Sequence, residues 1–392
     1  MNDVVILSGM RTPIGSFQGA LSSFSGPQLG SIAIKAALAK AGVKPEEIDE
    51  VLMGCVLTGG LGQAPARQAS LGAGIPNSVP CTTINKVCGS GMKTVMMAAQ
   101  AIKLGDANVM VAGGFESMTQ APYALPKARE GYRMGNGTLV DLMIHDGLWD
   151  PYKNVHMGTC GDQTSAECGF SREQLDTFAT ESYRRALAGQ ADGKFIDEIA
   201  PVEVPQRKGD PIQITADEEP GKGNPAKLPD LRPAFGKEGV TTAGNASSLN
   251  DGGAALVLAS ADWAAKNGKK PLGRVVSYAQ HAQEPEWFTT APAFAIEKLL
   301  ANQGLTVADI DLFEVNEAFS VVALVVAQKV GIPAEKLNVN GGAVAIGHPI
   351  GMTGARLVLT ALHELRRRGG KYAVCSPCIG GGEATAILIE AL

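Results

Sequence analysis

Two stretches of this 392-residue chain run through the same order of elements, and that repetition restricts the fold more than any single motif does. Residues 4–7 read as a strand. Residues 29–41 have helical spacing, with Ile32, Ala36, Leu38 and Ala39 apolar and Gly42 as a C-terminal stop. Residues 51–56 are strand-like again, 92–104 form an apolar helix that must be buried, and 107–112 suit a buried parallel strand. In the last third, residues 273–278 resemble the first strand, and 293–303 resemble the first helix, stopped by Gly304. The phrase Glu46-Glu47-Ile48-Asp49-Glu50-Val51 recurs as Ala308-Asp309-Ile310-Asp311-Leu312-Phe313, which sets Gly54 against Asn316. A second register sets Gly91-Met92 against Gly351-Met352, and so Cys88 against His348; a third sets Val109 against Val374 and Gly113 against Cys378. A chain this long needs more than one core. Two related α/β halves provide them, and Asn316, Cys88, His348 and Cys378 then fall at equivalent strand or helix ends, where sites of open α/β sheets form.

Residues 116–243 differ in character. They hold ten prolines and mixed charge, with one firm helical stretch at 172–191 capped by Ser171. They read as a loop-rich insertion of the kind that covers a site. Residues 245–259 return to glycine-rich, apolar chain and supply the last strand of the first half. The expected division is 1–118 with 244–269 as the first half, 119–243 as the insertion and 270–392 as the second half. A net charge of −5 and 5% aromatic residues give no basic field and little stacking surface for nucleic acid. No apolar run reaches the ~20 residues of a membrane span, and residues 1–7 lack a basic n-region, so a membrane protein and a secretory leader are not expected. Seven cysteines, an odd number in a large chain, argue against a disulfide framework and for a reducing, cytoplasmic compartment.

The reactive candidates sit among glycines. Cys88, in Asn85-Lys86-Val87-Cys88-Gly89-Ser90-Gly91-Met92, lies at a helix start, where free N–H groups favour thiolate and small neighbours admit a carbonyl. It is equally readable as an inert core cysteine. Ser90 competes as nucleophile but lacks the Gly-x-Ser-x-Gly spacing. His348, one of five histidines, precedes Pro349 and so cannot be mid-helix. It is either a turn residue bonded to backbone or a base for Cys88. Cys375 and Cys378 form a Cys-x-x-Cys pair with no second pair to complete a zinc site. The run from Cys378 into Gly380-Gly381-Gly382 suits an acid/base thiol beside N–H groups that form an oxyanion hole better than a redox pair. Asn316 follows a strand and serves either as a helix cap or to orient a water. Cys55, Cys81, Cys160 and Cys168 read as structural.

At these residues the chain resembles the thiolase family, over nearly its whole length. The resemblance is carried by Lys86-Val87-Cys88-Gly89-Ser90-Gly91-Met92-Lys93, Ala112-Gly113-Gly114-Phe115-Glu116-Ser117-Met118, His156-Met157-Gly158 and Thr242-Ala243-Gly244-Asn245-Ala246-Ser247. It continues in Val315-Asn316-Glu317-Ala318-Phe319, in Asn340-Gly341-Gly342-Ala343 through Gly347-His348-Pro349-Ile350-Gly351, and in Cys378 to Gly382. The pattern is most like the biosynthetic, acetoacetyl-CoA type. It implies the thiolase fold, two duplicated α/β halves in five layers, α-β-α-β-α, with an inserted loop domain. It implies an acetyl-CoA C-acetyltransferase that joins two acetyl-CoA into acetoacetyl-CoA and CoA through an acetyl-cysteine, with ping-pong kinetics.

By the same resemblance Cys88 carries the acetyl group, His348 takes its proton, and Cys378 moves the α-proton of the second acetyl-CoA. Asn316 holds a water in one oxyanion hole, and the N–H groups of Cys88 and Gly380 make the other. Leu148, His156, Met157, Phe235, Ala243, Ser247, Ala318 and Phe319 line the pantetheine channel, and Phe288 shapes acyl choice. The segment Glu218-Glu219-Pro220-Gly221-Lys222-Gly223 departs from the better-known bacterial pattern, so Lys222 is expected to replace a basic residue toward the CoA nucleotide. Neither a cofactor nor a metal is implied, the thioesters being substrates, and family members are usually homotetramers. The alternatives are a 3-ketoacyl-CoA thiolase for longer chains, a decarboxylating ketoacyl synthase, which has no use for Cys378, and a thiol-disulfide oxidoreductase built on Cys375 and Cys378.

Overall fold

The computed structural model describes residues 3–392. Its main strands are β1 (Val4–Arg11), β2 (Glu50–Gly54), β3 (Cys81–Ile84), β4 (Val109–Ser117), β5 (Asn250–Ser260), β6 (Gly273–Ala282), β7 (Leu312–Val315), β8 (Tyr372–Ser376) and β9 (Glu383–Ala391). The principal helices are α1 (Gly26–Ala41), α2 (Pro65–Gly72), α3 (Ser90–Leu104), α4 (Met157–Cys168), α5 (Arg172–Ala191), α6 (Ala291–Gln303), α7 (Ser320–Val330) and α8 (Ile350–Arg368). The nine strands hydrogen-bond in the order β7-β8-β9-β6-β1-β5-β4-β2-β3.

That order is nearly palindromic. On each side of the β1–β6 junction come two antiparallel pairings and then a parallel one, β4 with β2 and β8 with β7. Val5 pairs with Arg274, its own counterpart. The β1 register shifts between Ile6 and Ser8, and that of β6 between the equivalent Val275 and Ser277. A shared irregularity at a matched position marks duplication more firmly than shared regularity, because α/β halves resemble one another anyway.

Side-chain alternation assigns the layers. In β5, Leu256 and Leu258 join the central core of α3 and α8, whereas Val257 and Ala259 face the core under α1. In β9, Ile387 and Ile389 face the centre and Leu388 faces the core under α6 and α7. Helix, sheet, helix pair, sheet and helix thus follow one another. The central helices meet at glycines: a Cβ on Gly91 would lie 2.8 Å from the Ala355 nitrogen, and one on Gly354 would lie 2.4 Å from that of Met92. These contacts are reciprocal, Gly91 with Ala355 and Gly354 with Met92, and so match Gly91 to Gly354 rather than to the expected Gly351.

The third register does not hold either. Asp49 Oδ2 accepts the N–H groups of Asn108 and Val109 at 2.7 and 2.9 Å, and Asp311 Oδ2 accepts those of Lys371 and Tyr372 at the same distances. Val109 therefore corresponds to Tyr372 and Gly113 to Ser376, two residues short of the expected Cys378. A slip of two keeps every side chain on its own face, so the apolar pattern cannot detect it.

The insertion contains short hairpins, single helical turns and two longer helices, α4 as well as the expected α5. Helix α4 carries Gly158 and Gly161 and little apolar periodicity, which hid it; His156 caps it by accepting the Gly158 N–H at 3.1 Å. A buried ion cluster joins the insertion to β1. Arg11, fully enclosed, donates to Asp217 through two nitrogens at 2.6 and 2.9 Å and to Glu198 at 2.7 Å. Removing a buried cation strands the carboxylates it neutralises. Arg11→Met is expected to lower the unfolding free energy by about 3–5 kcal/mol in urea denaturation; a loss below about 1 kcal/mol would mean that Glu198 and Asp217 find other partners.

Candidate active site

The strand β3 runs into a tight elbow, Asn85 to Gly89, before α3 begins. Val87 there has φ +44°, a left-handed conformation that a β-branched residue adopts only when its surroundings impose it. Ser90 imposes part of it: its Oγ accepts the Lys86 N–H at 2.8 Å and donates to the Val87 carbonyl at 2.7 Å. Ser90 is fully buried by these duties, which removes it as a competing nucleophile. Lys86 forms an ion pair with Glu383, tying the elbow to the far end of the Gly380–Gly382 turn. Gly381 and Gly382 take φ +91° and +84°, open to glycine alone without strain.

Cys88, half-buried at the crest of the elbow, faces a cleft, and two backbone N–H groups, its own and that of Gly380, point at its sulfur. The protein packed behind it nevertheless pushes its thiol up to about 11, outweighing those N–H groups, with a smaller contribution from Glu116. The expected thiolate is therefore not the resting form; α3 begins only at Ser90, and burial outweighs its N-terminus.

His348 lies in the turn before α8, its N–H donating to Asn250 Oδ1 at 2.8 Å. Its Nδ1 is 2.6 Å from Thr353 Oγ1, which itself donates to the Pro349 carbonyl at 2.9 Å. The Thr353 hydroxyl proton being thus committed, the network places the imidazole proton on Nδ1 and leaves a lone pair on Nε2. Asn316 Nδ2 lies 3.4 Å from that Nε2, consistent with this tautomer. Burial, and then the charge of Arg356, lower His348 to about 3, so it is neutral at pH 7. Asn316 Oδ1 is buried without a protein partner, an acceptor free to hold a water. Cys378 is fully buried, its sulfur accepting N–H bonds from Ala318 and its own backbone; burial and the neighbouring Cys88 hold its thiol well above the ordinary range. The five expected groups thus converge from both halves.

The cleft above them encloses about 410 Å³. Leu148, His156, Met157, Phe235, Ala243, Ser247, Phe288, Ala318 and Phe319 line it together with Cys88, His348 and Gly380. His156 stacks on Phe235 with centroids 4.5 Å apart, and Phe319 meets Phe235 edge-on at 6.0 Å and Phe288 at 6.4 Å. Gly158 makes room for that stack, since a Cβ there would come within 2.2 Å of the Phe235 ring. Lys222 is not brought to the cleft: its ammonium bonds Ser16 Oγ at 2.7 Å and Glu218 Oε1 at 3.1 Å, the carboxylate one helical turn earlier. Sequence reasoning missed Met118, Met143, Ile144, Leu249 and Ile350 in the walls. Met143 and Ile144 sit on the π-helical turn Met143–Leu148, and the one signal for them is an apolar triplet, Leu142 to Ile144, within a polar insertion.

Cys375 and Cys378 do not form a redox pair. Cys375 belongs to the central core and donates to the Leu357 carbonyl at 3.5 Å, whereas Cys378 belongs to the core under α6 and α7.

A duplicated α/β fold whose two halves close on thiols, an imidazole and N–H donors beneath an apolar cleft defines an acyltransferase. The chain belongs to the thiolase family: the models for the thiolase N-terminal and C-terminal domains match residues 4–262 and 269–391. It is 51% identical over 391 residues to an acetyl-CoA acetyltransferase of Cupriavidus necator, covering all of both chains. It is 53% identical over 392 residues to acetyl-CoA acetyltransferase 2 of Arabidopsis thaliana, covering all of this chain and 97% of that one. A mitochondrial acetyl-CoA acetyltransferase of Bos taurus is 49% identical, with 100% and 92% covered. The crystal structure of Acat5 thiolase from Ascaris suum in complex with coenzyme A superposes with a TM-score of 0.94 at 44% identity, over the whole of both chains.

Proposed function

We infer that this protein is an acetyl-CoA C-acetyltransferase, interconverting two acetyl-CoA with acetoacetyl-CoA and CoA. The observation that carries the reading is one cleft lined by Cys88, His348 and Gly380, with two backbone N–H groups and a second thiol beside the Cys88 sulfur and the His348 lone pair facing Asn316.

The chemistry follows from protonation states. Cys88 is a thiol and His348 Nε2 a lone pair, so the thiol proton passes to Nε2 as sulfur attacks the acetyl carbonyl. The oxygen that becomes negative sits between the N–H groups of Cys88 and Gly380, donors already fixed before the reaction. Cys378 gives its proton to the departing CoA sulfur. That leaves an imidazolium and a thiolate in one buried site, charges that stabilise each other. The thiolate then takes a proton from the methyl group of the second acetyl-CoA. Its enolate oxygen is met by protonated Nε2 and a water on Asn316. The enolate carbon attacks acetyl-Cys88, and the departing Cys88 sulfur recovers its proton from His348. Every proton is returned, and the acetyl group has moved from sulfur to carbon. Holding both partners in one cleft makes that bond formation effectively unimolecular.

Buried Phe288, packed against Phe319, supports a short acyl group. In thiolysis of a chain-length series of 3-ketoacyl-CoA substrates, the four-carbon substrate is expected to be preferred, and Phe288→Ala to narrow its advantage over the eight-carbon one by about 10-fold or more. An unchanged ratio would remove Phe288 as the determinant, and a wild-type preference for long chains would favour the broader 3-ketoacyl-CoA reading. Among the described residues no helix is long and apolar enough to cross a membrane. The same reading takes the enzyme as a cytoplasmic homotetramer, supported by the family resemblance and, for the compartment, by seven free cysteines.

A further inference from the structure

Glu116, at the end of β4, is buried and does not line the cleft, yet it holds the turn that brings His348 and Ile350 into the cleft and the Val56–Leu57 segment packed behind it. Its carboxylate accepts the N–H groups of Val56, Leu57 and Gly351, each at 3.0 Å, and the Cys55 thiol at 3.6 Å. Val56, Leu57 and Ile350 form one apolar cluster with Met118 and Met143, against which Cys88 and Leu148 pack. Gly351 is the second residue of α8, three after His348. The Gly347–Gly351 turn is therefore pinned by the first half at two points, Asn250 Oδ1 on the His348 N–H and Glu116 Oε2 on the Gly351 N–H. A buried carboxylate is costly to keep in a fold unless every oxygen has donors, and here three of its four donors are main-chain groups of the segments that carry the site. The negative charge also complements the N-terminus of α8.

We propose that Glu116 is a positioning residue for acyl transfer, its carboxylate fixing the His348 turn and the Val56–Leu57 segment behind the cleft relative to Cys88. The inference rests on the role given to His348 above. Burial, opposed by the three N–H groups and Cys55, pushes Glu116 up to about 7. The titratable groups around it are the Cys55 thiol on the β2 side, the Cys88 thiol on the elbow and His348 ahead of α8. On the neighbouring β5 lies Asp251, whose carboxylate is turned to Ser117 and Thr119. Above about pH 7 the carboxylate accepts every N–H; below it one oxygen carries a proton into a ring of donors, an N–H loses its acceptor, and the turn loosens. Activity should fall as pH drops through that range.

The test is kcat against pH for wild type, Glu116→Gln and Cys55→Ala in thiolysis of acetoacetyl-CoA. Wild-type kcat should show a limb near pH 7. Glu116→Gln, which turns an amide NH2 toward the same donors, should lose kcat by about 10²-fold at pH 8, keep KM within about threefold and lose the limb. Cys55→Ala, which removes one donor to the carboxylate, should move the limb to higher pH and guards against a Gln variant that does not fold. A flat wild-type kcat through pH 7, a limb unmoved in Cys55→Ala, or a Glu116→Gln enzyme with wild-type kcat and profile would each overturn the proposal. His348→Ala assayed alongside separates the two readings: if it keeps turnover, the role of His348 falls; if it alone loses turnover, only the inference about Glu116 does.

Discussion

Cys88→Ala is expected to lose turnover in both directions by about 10⁴-fold or more, with a thermal unfolding midpoint close to wild type. No other group in the cleft can take over. Ser90, two residues on, has both its bonding functions engaged in holding the elbow, and Cys378 is fully buried beside the Ala318 N–H. The N–H donors of Cys88 and Gly380 survive in the variant, because they are main-chain groups, so binding of acetyl-CoA should persist while covalent transfer stops. Labelled acetyl-CoA followed by peptide mapping gives the direct readout: wild type retains label on the peptide containing Cys88, and Cys88→Ala retains none. Label on any other residue, or near-native turnover in the variant, would overturn the assignment. Cys88→Ser distinguishes geometry from acidity. It keeps a nucleophilic atom in nearly the same place, but with His348, lowered to about 3, as its only base, an alcohol far less acidic than a thiol should remain almost as inactive as alanine.

The parts of the molecule legible in the sequence were those written in local pattern. The duplication showed as repeated phrases, and the glycines flanking Cys88, His348 and Cys378 marked turns where backbone approaches a ligand. What escaped was set by distance or by burial. The slip of two residues between the expected and observed matches of β4 with β8 preserves the alternation and needed Asp49 and Asp311 to reveal it. Helix α4 is held by its cap and by Phe235 packing on Gly158, neither of which leaves an apolar stripe. Lys222 looked free for a nucleotide because its partner, Ser16, lies 206 residues away. The resting thiol of Cys88 was misjudged for a related reason: a helix start is visible in sequence, but the density of protein behind the sulfur is not.

Cys378→Ala is expected to separate the two half-reactions. Its sulfur is placed to serve both, giving a proton to departing CoA and then taking one from the second substrate. The two duties differ in how much they need it. A departing thiolate with an ordinary acidity of about 8.5 leaves tolerably well without a proton, so acetylation of Cys88 should slow by only about 10-fold. A thioester methyl group is far less acidic and cannot be deprotonated by neutral His348, so condensation should fall by about 10³–10⁴-fold, the range a positioned base supplies. Two measurements resolve this: label retained on Cys88 after a short incubation, and exchange of deuterium from heavy water into the methyl group of acetyl-CoA. The variant should accumulate acetyl-enzyme and show no exchange. Substituting the thiol leaves the Ala318 N–H without its acceptor, so some loss of stability accompanies the change, but such a loss would lower both half-reactions together. Equal slowing of acetylation and exchange would therefore remove the separate acid/base role and leave Cys378 as packing beneath Cys88.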